Sequence, residues 1–149
     1  MSFKKKVHAT CVHRIDEKLE SIQKEVGELK KSLSSETKSS MGDKYETARE
    51  MINLEKGKLS EQLEQFNKMK LLLKSIDPEK ELNEVKTGAH VTTLQGEFYV
   101  SVGLGGLHVD DKKVFAISPV SPIGQAMLDK KVGDTFSING RDQKILSVS

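Results

Sequence analysis

The sequence contains no tryptophan, and aromatic residues make up only 5% of it. It has one cysteine, Cys11, which excludes an internal disulfide framework and a multi-cysteine zinc site. No run approaches the ~18 apolar residues of a membrane span. The first residues carry lysines but no apolar stretch behind them, so they do not read as a secretory signal. Charge of one sign is also missing. There are 24 Lys and Arg against 22 Asp and Glu, a formal net charge of +2 over 149 residues. That balance argues against binding nucleic acid through a strong positive field. A cytoplasmic protein without a membrane partner is the expectation.

What is present is unevenly distributed. Residues 1–85 carry 17 Lys and Arg and 16 Asp and Glu, whereas residues 86–149 carry 7 and 6. All three prolines and eight of the eleven glycines lie in the second half. A charge-dense stretch poor in glycine and proline suits long exposed helices. A glycine-rich, β-branched stretch suits short strands and turns. The expected organisation is a helical arm over 1–77 and a small unit over 78–149.

Val12, Ile15, Leu19, Ile22, Val26, Leu29 and Leu33 alternate spacings of three and four, a heptad seam over three heptads. The pattern stops in the serine-rich segment 34–42 and resumes more weakly from Tyr45 through Ala48, Ile52, Leu59, Leu63, Phe66, Leu73 and Ile76. Two segments of similar length with a short connection favour an antiparallel coiled-coil pair. Helices of ~30 residues would give an arm about 45 Å long, with its tip near 34–46. Taken alone, such a seam also fits a dimerising scaffold.

Asp43 and Glu46, three apart, open the second helix near that tip. One reading is a cap: Asp followed three residues later by Glu is close to a capping box, with Ser40 a rival cap. The other is chemical. Two exposed carboxylates at the end of an arm can complete a Mg²⁺ site elsewhere, because that ion takes one or two carboxylates and keeps waters. The two readings are compatible. Lys38, Lys44 and Arg49 flank the acids, as solvated helix charges or as contacts to a few phosphates.

In the second part, residues 89–94 and 98–102 read as two strands, 103–106 as a loop and 113–117 as another strand. Ser121-Pro122 starts a short helix as N-cap and first-turn proline. Residues 135–138 and 144–148 flank Asn139-Gly140, the preferred type I′ pair. The expected result is a small antiparallel sheet with one helix, an α+β unit. The four histidines and Cys11 show no catalytic constellation. His8 and His13 fall at the expected frayed start of the first helix.

The run from Ser121 to Asp134, SPIGQAMLDKKVGD, resembles the C-terminal signature of the Gre transcript-cleavage factors, roughly SPIGxALLGKxVGD. Gly42-Asp43-Lys44-Tyr45-Glu46 is similar to the same family's tip motif, GDxxEN. The resemblance covers nearly the whole chain. It implies a coiled-coil hairpin followed by an FKBP-like domain, in a monomer that is not itself an enzyme. It implies docking of bacterial RNA polymerase through Ser121, Pro122 and Ile123 at the rim of the secondary channel, with the arm inside the channel. Asp43 and Glu46 would then share a Mg²⁺ with the polymerase and position water, so that its active site cleaves the 3′ end of backtracked RNA. Two departures point to an alternative. The family's Asn-Ala-Glu-Tyr after the second acid is here Thr47-Ala48-Arg49-Glu50, and Val120 stands where some members carry an acid. A channel binder that regulates or inhibits the polymerase without cleavage fits those departures.

Overall fold

The computed structural model describes residues 2–39 and 42–149; for 33–39 and 42–45 it describes the backbone alone. The chain divides into two compact units, Arg14–Lys70 and a second made of Met1–His13 with Leu71–Ser149. The architecture is the expected α+β one: two long helices, then a six-stranded sheet with a short helix.

Helix α1 spans Phe3–Ser39 and α2 spans Gly42–Ser75. Within Arg14–Lys70 they run antiparallel. Asp16 of α1 pairs with Lys70 of α2 at 2.7 Å. Further along, Ile22 shares a cleft with Gln62 and Phe66, and Leu29 shares one with Glu55 and Leu59. Leu19, Ile22 and Leu59 are buried, whereas Ile52, Leu63 and Phe66 are half-buried and Met51 and Leu54 are exposed. The weaker second seam is therefore real. A two-helix layer has only one face to hide, and α2 fills it incompletely.

Two features of α1 depart from the sequence reading. The backbone stays helical through Ser34–Ser39, where the apolar period ends. That stretch has neither glycine nor proline, and serine costs only about 0.5 kcal/mol per residue against alanine, so helix can continue without a seam. At the other end, the helix begins at Phe3 and is not frayed at His8. Val7 and Cys11 are fully buried, and the first half-turns pack into the sheet-containing unit. Spacings of four from Val7 to Cys11 to Ile15 hide this extension from a heptad template.

The sheet has strand order β3-β4-β2-β1-β6-β5. Its strands are β1 (His90–Thr93), β2 (Gly96–Val100), β3 (Gly105–Val109), β4 (Lys112–Ile117), β5 (Thr135–Ile138) and β6 (Arg141–Val148). All neighbours are antiparallel except β2 and β4, which are parallel. Strand β3 takes in Gly105 and Gly106 from the segment 103–106 expected as a loop, while residues 103 and 104 stay outside any strand. It pairs with β4 across a two-residue turn, Asp110-Asp111, in which both residues have positive φ. Aspartate tolerates that conformation but does not announce it as Asn-Gly does. The Asn139-Gly140 turn between β5 and β6 has both φ values positive, as its sequence requires.

Helix α3 (Pro122–Met127) covers one sheet face. Met127 packs there with Val91, Phe98, Val100, Phe136 and Ile145, and Val85 and Ala89 close the cluster. The other face carries the fully buried Tyr99, whose hydroxyl meets His8 Nδ1 at 2.7 Å. Burial pushes the Tyr99 hydroxyl well above its usual pKa and holds His8 below the usual histidine value. His90 meets Glu97 at 3.1 Å, and burial outweighs that carboxylate to keep His90 below its usual value too. Lys4, buried, donates to the carbonyls of Lys80 and Ser149, each at 2.9 Å. Among the described residues, no helix is long and apolar enough to cross a membrane.

Candidate functional site

The expected site residues fall into the two units, each built locally. In the Arg14–Lys70 unit, Asp43 lies in the first turn of α2, and Ser40, the rival cap, lies outside the described residues. A helix N-terminus favours negative charge there through the macrodipole. Glu46 follows one turn later and its side chain is exposed. Residues three apart on a helix are surface neighbours, ~5–6 Å between Cβ atoms, so the backbone brings this pair together. Arg49, also exposed, is three further on and follows Glu46 along the same face. Lys38 is near the end of α1 and Lys44 is in the first turn of α2. The side chains of Lys38, Asp43 and Lys44 lie outside the described residues.

The second group is the start of α3. Ser121 is its N-cap, with β-region dihedrals, and its Oγ accepts the Gly124 N–H at 3.2 Å. Pro122 occupies the first turn, where its missing N–H costs nothing, and its side chain is exposed. Ile123 is half-buried and packs on the sheet core. A Cβ on Gly124 would lie 2.2 Å from the Ser118 carbonyl oxygen, so no other residue fits this backbone. After the helix, Asp129 takes a left-handed conformation (φ 64°). The segment then ties back: Asp129 N–H donates to the Val85 carbonyl, and Val85 N–H to that of Lys130, each at 2.8 Å.

The family model described as transcription elongation factor, GreA/GreB, C-term, matches residues 79–149. The transcription elongation factor GreA of Acidiphilium cryptum (strain JF-5) is 32% identical over 111 residues, covering 70% of this chain and 68% of the relative. The chain belongs to the GreA/GreB family. Two solved structures also align with 93% of it. They are GreA factor homolog 1 (Gfh1) of Thermus thermophilus, at TM-score 0.38, 19% identity and 94% of that chain, and the transcription factor Gfh1, at 0.37, 20% and 92%.

In this GreA/GreB-family chain, the donor chemistry at Asp43 and Glu46 suits a hard cation. Two carboxylates from one helix leave most of an octahedral shell to other ligands. Among the described residues, no three His, Cys, Asp or Glu side chains gather to hold a metal. The histidines are structural or surface groups: His8 and His90 are tied to Tyr99 and Glu97, while His13 and His108 are exposed. The internal role of Gly124 is a feature the residue pattern did not announce. Its cause lies in tertiary closeness: a Cβ would meet the Ser118 carbonyl oxygen, the Pro119 Cα and the Ser121 Oγ.

Proposed function

We propose that this chain is a transcription elongation factor that binds bacterial RNA polymerase at its secondary channel. There it stimulates the polymerase's own cleavage of backtracked RNA. The observation that carries this reading is the placement of Asp43 and Glu46 one turn apart at the start of α2, in a chain with a GreA/GreB C-terminal unit. In this reading docking falls to the turn that holds Ser121, Pro122 and Ile123 in the C-terminal unit. The helical hairpin supplies reach.

In this reading the protein acts in trans in the cytoplasm, as a monomer, and is not an enzyme alone. Its two carboxylates accept hydrogen bonds from the attacking water and add oxygen ligands beside the RNA 3′ end. Asp43 and Glu46 would hold in part a Mg²⁺ shared with the polymerase, which would supply an activated water and charge stabilisation at the phosphate. Lys38, Lys44 and Arg49, which flank the acids in sequence, supply contacts to a few phosphates of that RNA in this reading. The test mixes the protein with backtracked complexes of its cognate polymerase and follows the RNA 3′ end. Wild-type protein accelerates cleavage, and Asp43→Asn and Glu46→Gln do not. Equal cleavage with and without wild-type protein sinks the reading.

A second reading is favoured by Arg49, whose exposed cation follows Glu46 on the same helical face. A guanidinium there can pair with a tip acid and withdraw it from metal binding. The protein would then occupy the channel and regulate or inhibit transcription without cleavage. It predicts competition with another channel ligand and changed promoter output with no stimulated cleavage. Arg49→Ala separates the two readings, because it restores cleavage only if the arginine masks the acids.

A further inference from the structure

The Ser121 hydroxyl is engaged on both sides. It donates to the Ser118 carbonyl oxygen at 2.6 Å and accepts from the Gly124 N–H at 3.2 Å. The same carbonyl accepts the Ser121 N–H at 3.1 Å, and Ser118 Oγ accepts the Val120 N–H at 3.2 Å. Gly124 closes the turn, since a Cβ there would meet the Ser118 oxygen at 2.2 Å and the Pro119 Cα at 3.0 Å. Pro119 and Pro122 fix two of the φ angles. The two serine hydroxyls and the Val120, Ser121 and Gly124 N–H groups are therefore engaged within the turn, and Ile123 turns onto the core. Two side chains are presented outward: Val120, 75% exposed, and Pro122.

Resting on the polymerase-docking reading above, we infer that Ser121 is a positioning residue and not a contact residue. It fixes a turn that offers RNA polymerase an apolar contact made by Val120 and Pro122. A turn held in its bound shape before docking loses little entropy on binding. An apolar side chain at the position of Val120 makes the complementary polymerase surface apolar rather than basic. Val120 thereby sets which polymerase surface the chain accepts.

The experiment uses the full chain and its cognate polymerase. Two quantities are read: equilibrium affinity for polymerase, and hydrogen-exchange protection of the Gly124 amide in the free protein. Ser121→Ala removes both hydroxyl bonds and lowers affinity and protection together, the affinity about fivefold, as for loss of an N-cap. Ser121→Thr keeps donor and acceptor and restores both. Val120→Asp lowers affinity about tenfold or more while Gly124 protection stays at the wild-type level, because it buries an unpaired charge in the interface. Loss of affinity in Ser121→Ala with full protection overturns the inference, as does a Ser121→Thr protein that regains protection but not affinity. If Ser121→Ala does not fold, Val120→Asp decides alone, and unchanged affinity overturns the inference. Wild-type protein that fails to bind polymerase overturns the docking reading together with this one.

Discussion

The tip of the hairpin and the turn before α3 place their side chains by opposite means. The turn is internally determined: the Ser121 hydroxyl, the Ser118 carbonyl and the missing Cβ of Gly124 leave it one conformation. At the tip, Glu46 and Arg49 stand in solvent, three residues apart on one helix. A docking element gains from being rigid before contact. Carboxylates that complete a metal shell elsewhere gain from being unpaired until they arrive, since a partner of their own would compete with the ion.

The first way to break this comparison is at the tip, where the largest effect is expected. Asp43→Asn and Glu46→Gln each lower stimulated RNA cleavage on the order of a hundredfold, the range for removing a group that orients a reacting water. Affinity for polymerase stays unchanged in both, and the unfolding free energy falls by at most about 1 kcal/mol, the contribution of an acid at a helix start. A larger loss would show that the acids chiefly serve the fold.

Next come the packed interiors. Met127→Ala empties a fully buried site between α3 and the sheet and costs about 3 kcal/mol in denaturant unfolding. Leu54→Ala, at an exposed position on α2, changes stability by less than about 0.5 kcal/mol. Similar costs at the two positions would mean that the arm is covered in solution, as a dimerising scaffold requires. Light scattering then gives a mass above the 16.6 kDa of one chain.

A third effect separates the units by pH. Burial holds His8 and His90 below the ordinary histidine value of 6.5, so the folded state resists protons that the unfolded chain accepts. Their contribution is complete above pH 6.5 and is lost as pH falls through their lowered folded values. The melting temperature of the sheet-containing unit therefore drops between pH 7.5 and 5.5. His8→Gln flattens that slope, and an unchanged slope would remove His8 from the account.

The smallest effects lie at single backbone or side-chain positions. Asp129 holds φ at 64°, and Asp129→Gly relieves that strain, for a gain of up to about 1 kcal/mol. The Ser101 hydroxyl is buried without a hydrogen-bond partner. Ser101→Ala should be neutral or stabilising by about 1 kcal/mol in the same unfolding experiment. Destabilisation by either change would reveal a partner for that residue.

The sequence is most informative where the cause is local. The Val12-to-Leu29 period, the Asn139-Gly140 turn and the Ser121-Pro122 helix start depend on residues within one or two turns, and each forms as expected. The pair Asp43 and Glu46 is legible for the same reason, because three-residue spacing on a helix implies adjacency. What the chain does not announce depends on distant partners. His8 meets Tyr99 across 91 positions, so nothing near His8 reveals its burial. Strand β3 exists because β4 lies beside it, and its glycines alone read as a loop. Helix through Ser34–Ser39 lacks an apolar period, the signal used to find helices.

Both ends of the sequence contribute to one unit, and this sets an order of assembly during synthesis. The two long helices pair through contacts that lie wholly within residues 14–70, such as Asp16 to Lys70, and can associate as soon as that stretch has left the ribosome. The first turns of α1 cannot. Their lysine anchor reaches the carbonyl of Ser149, and β1 needs β6 alongside it. Until the last strand emerges, Val7 and Cys11 are apolar groups waiting in water for a surface not yet made. The unit of residues 14–70 can thus be complete while the other still lacks a strand, and the slow step belongs to closing the sheet-containing unit.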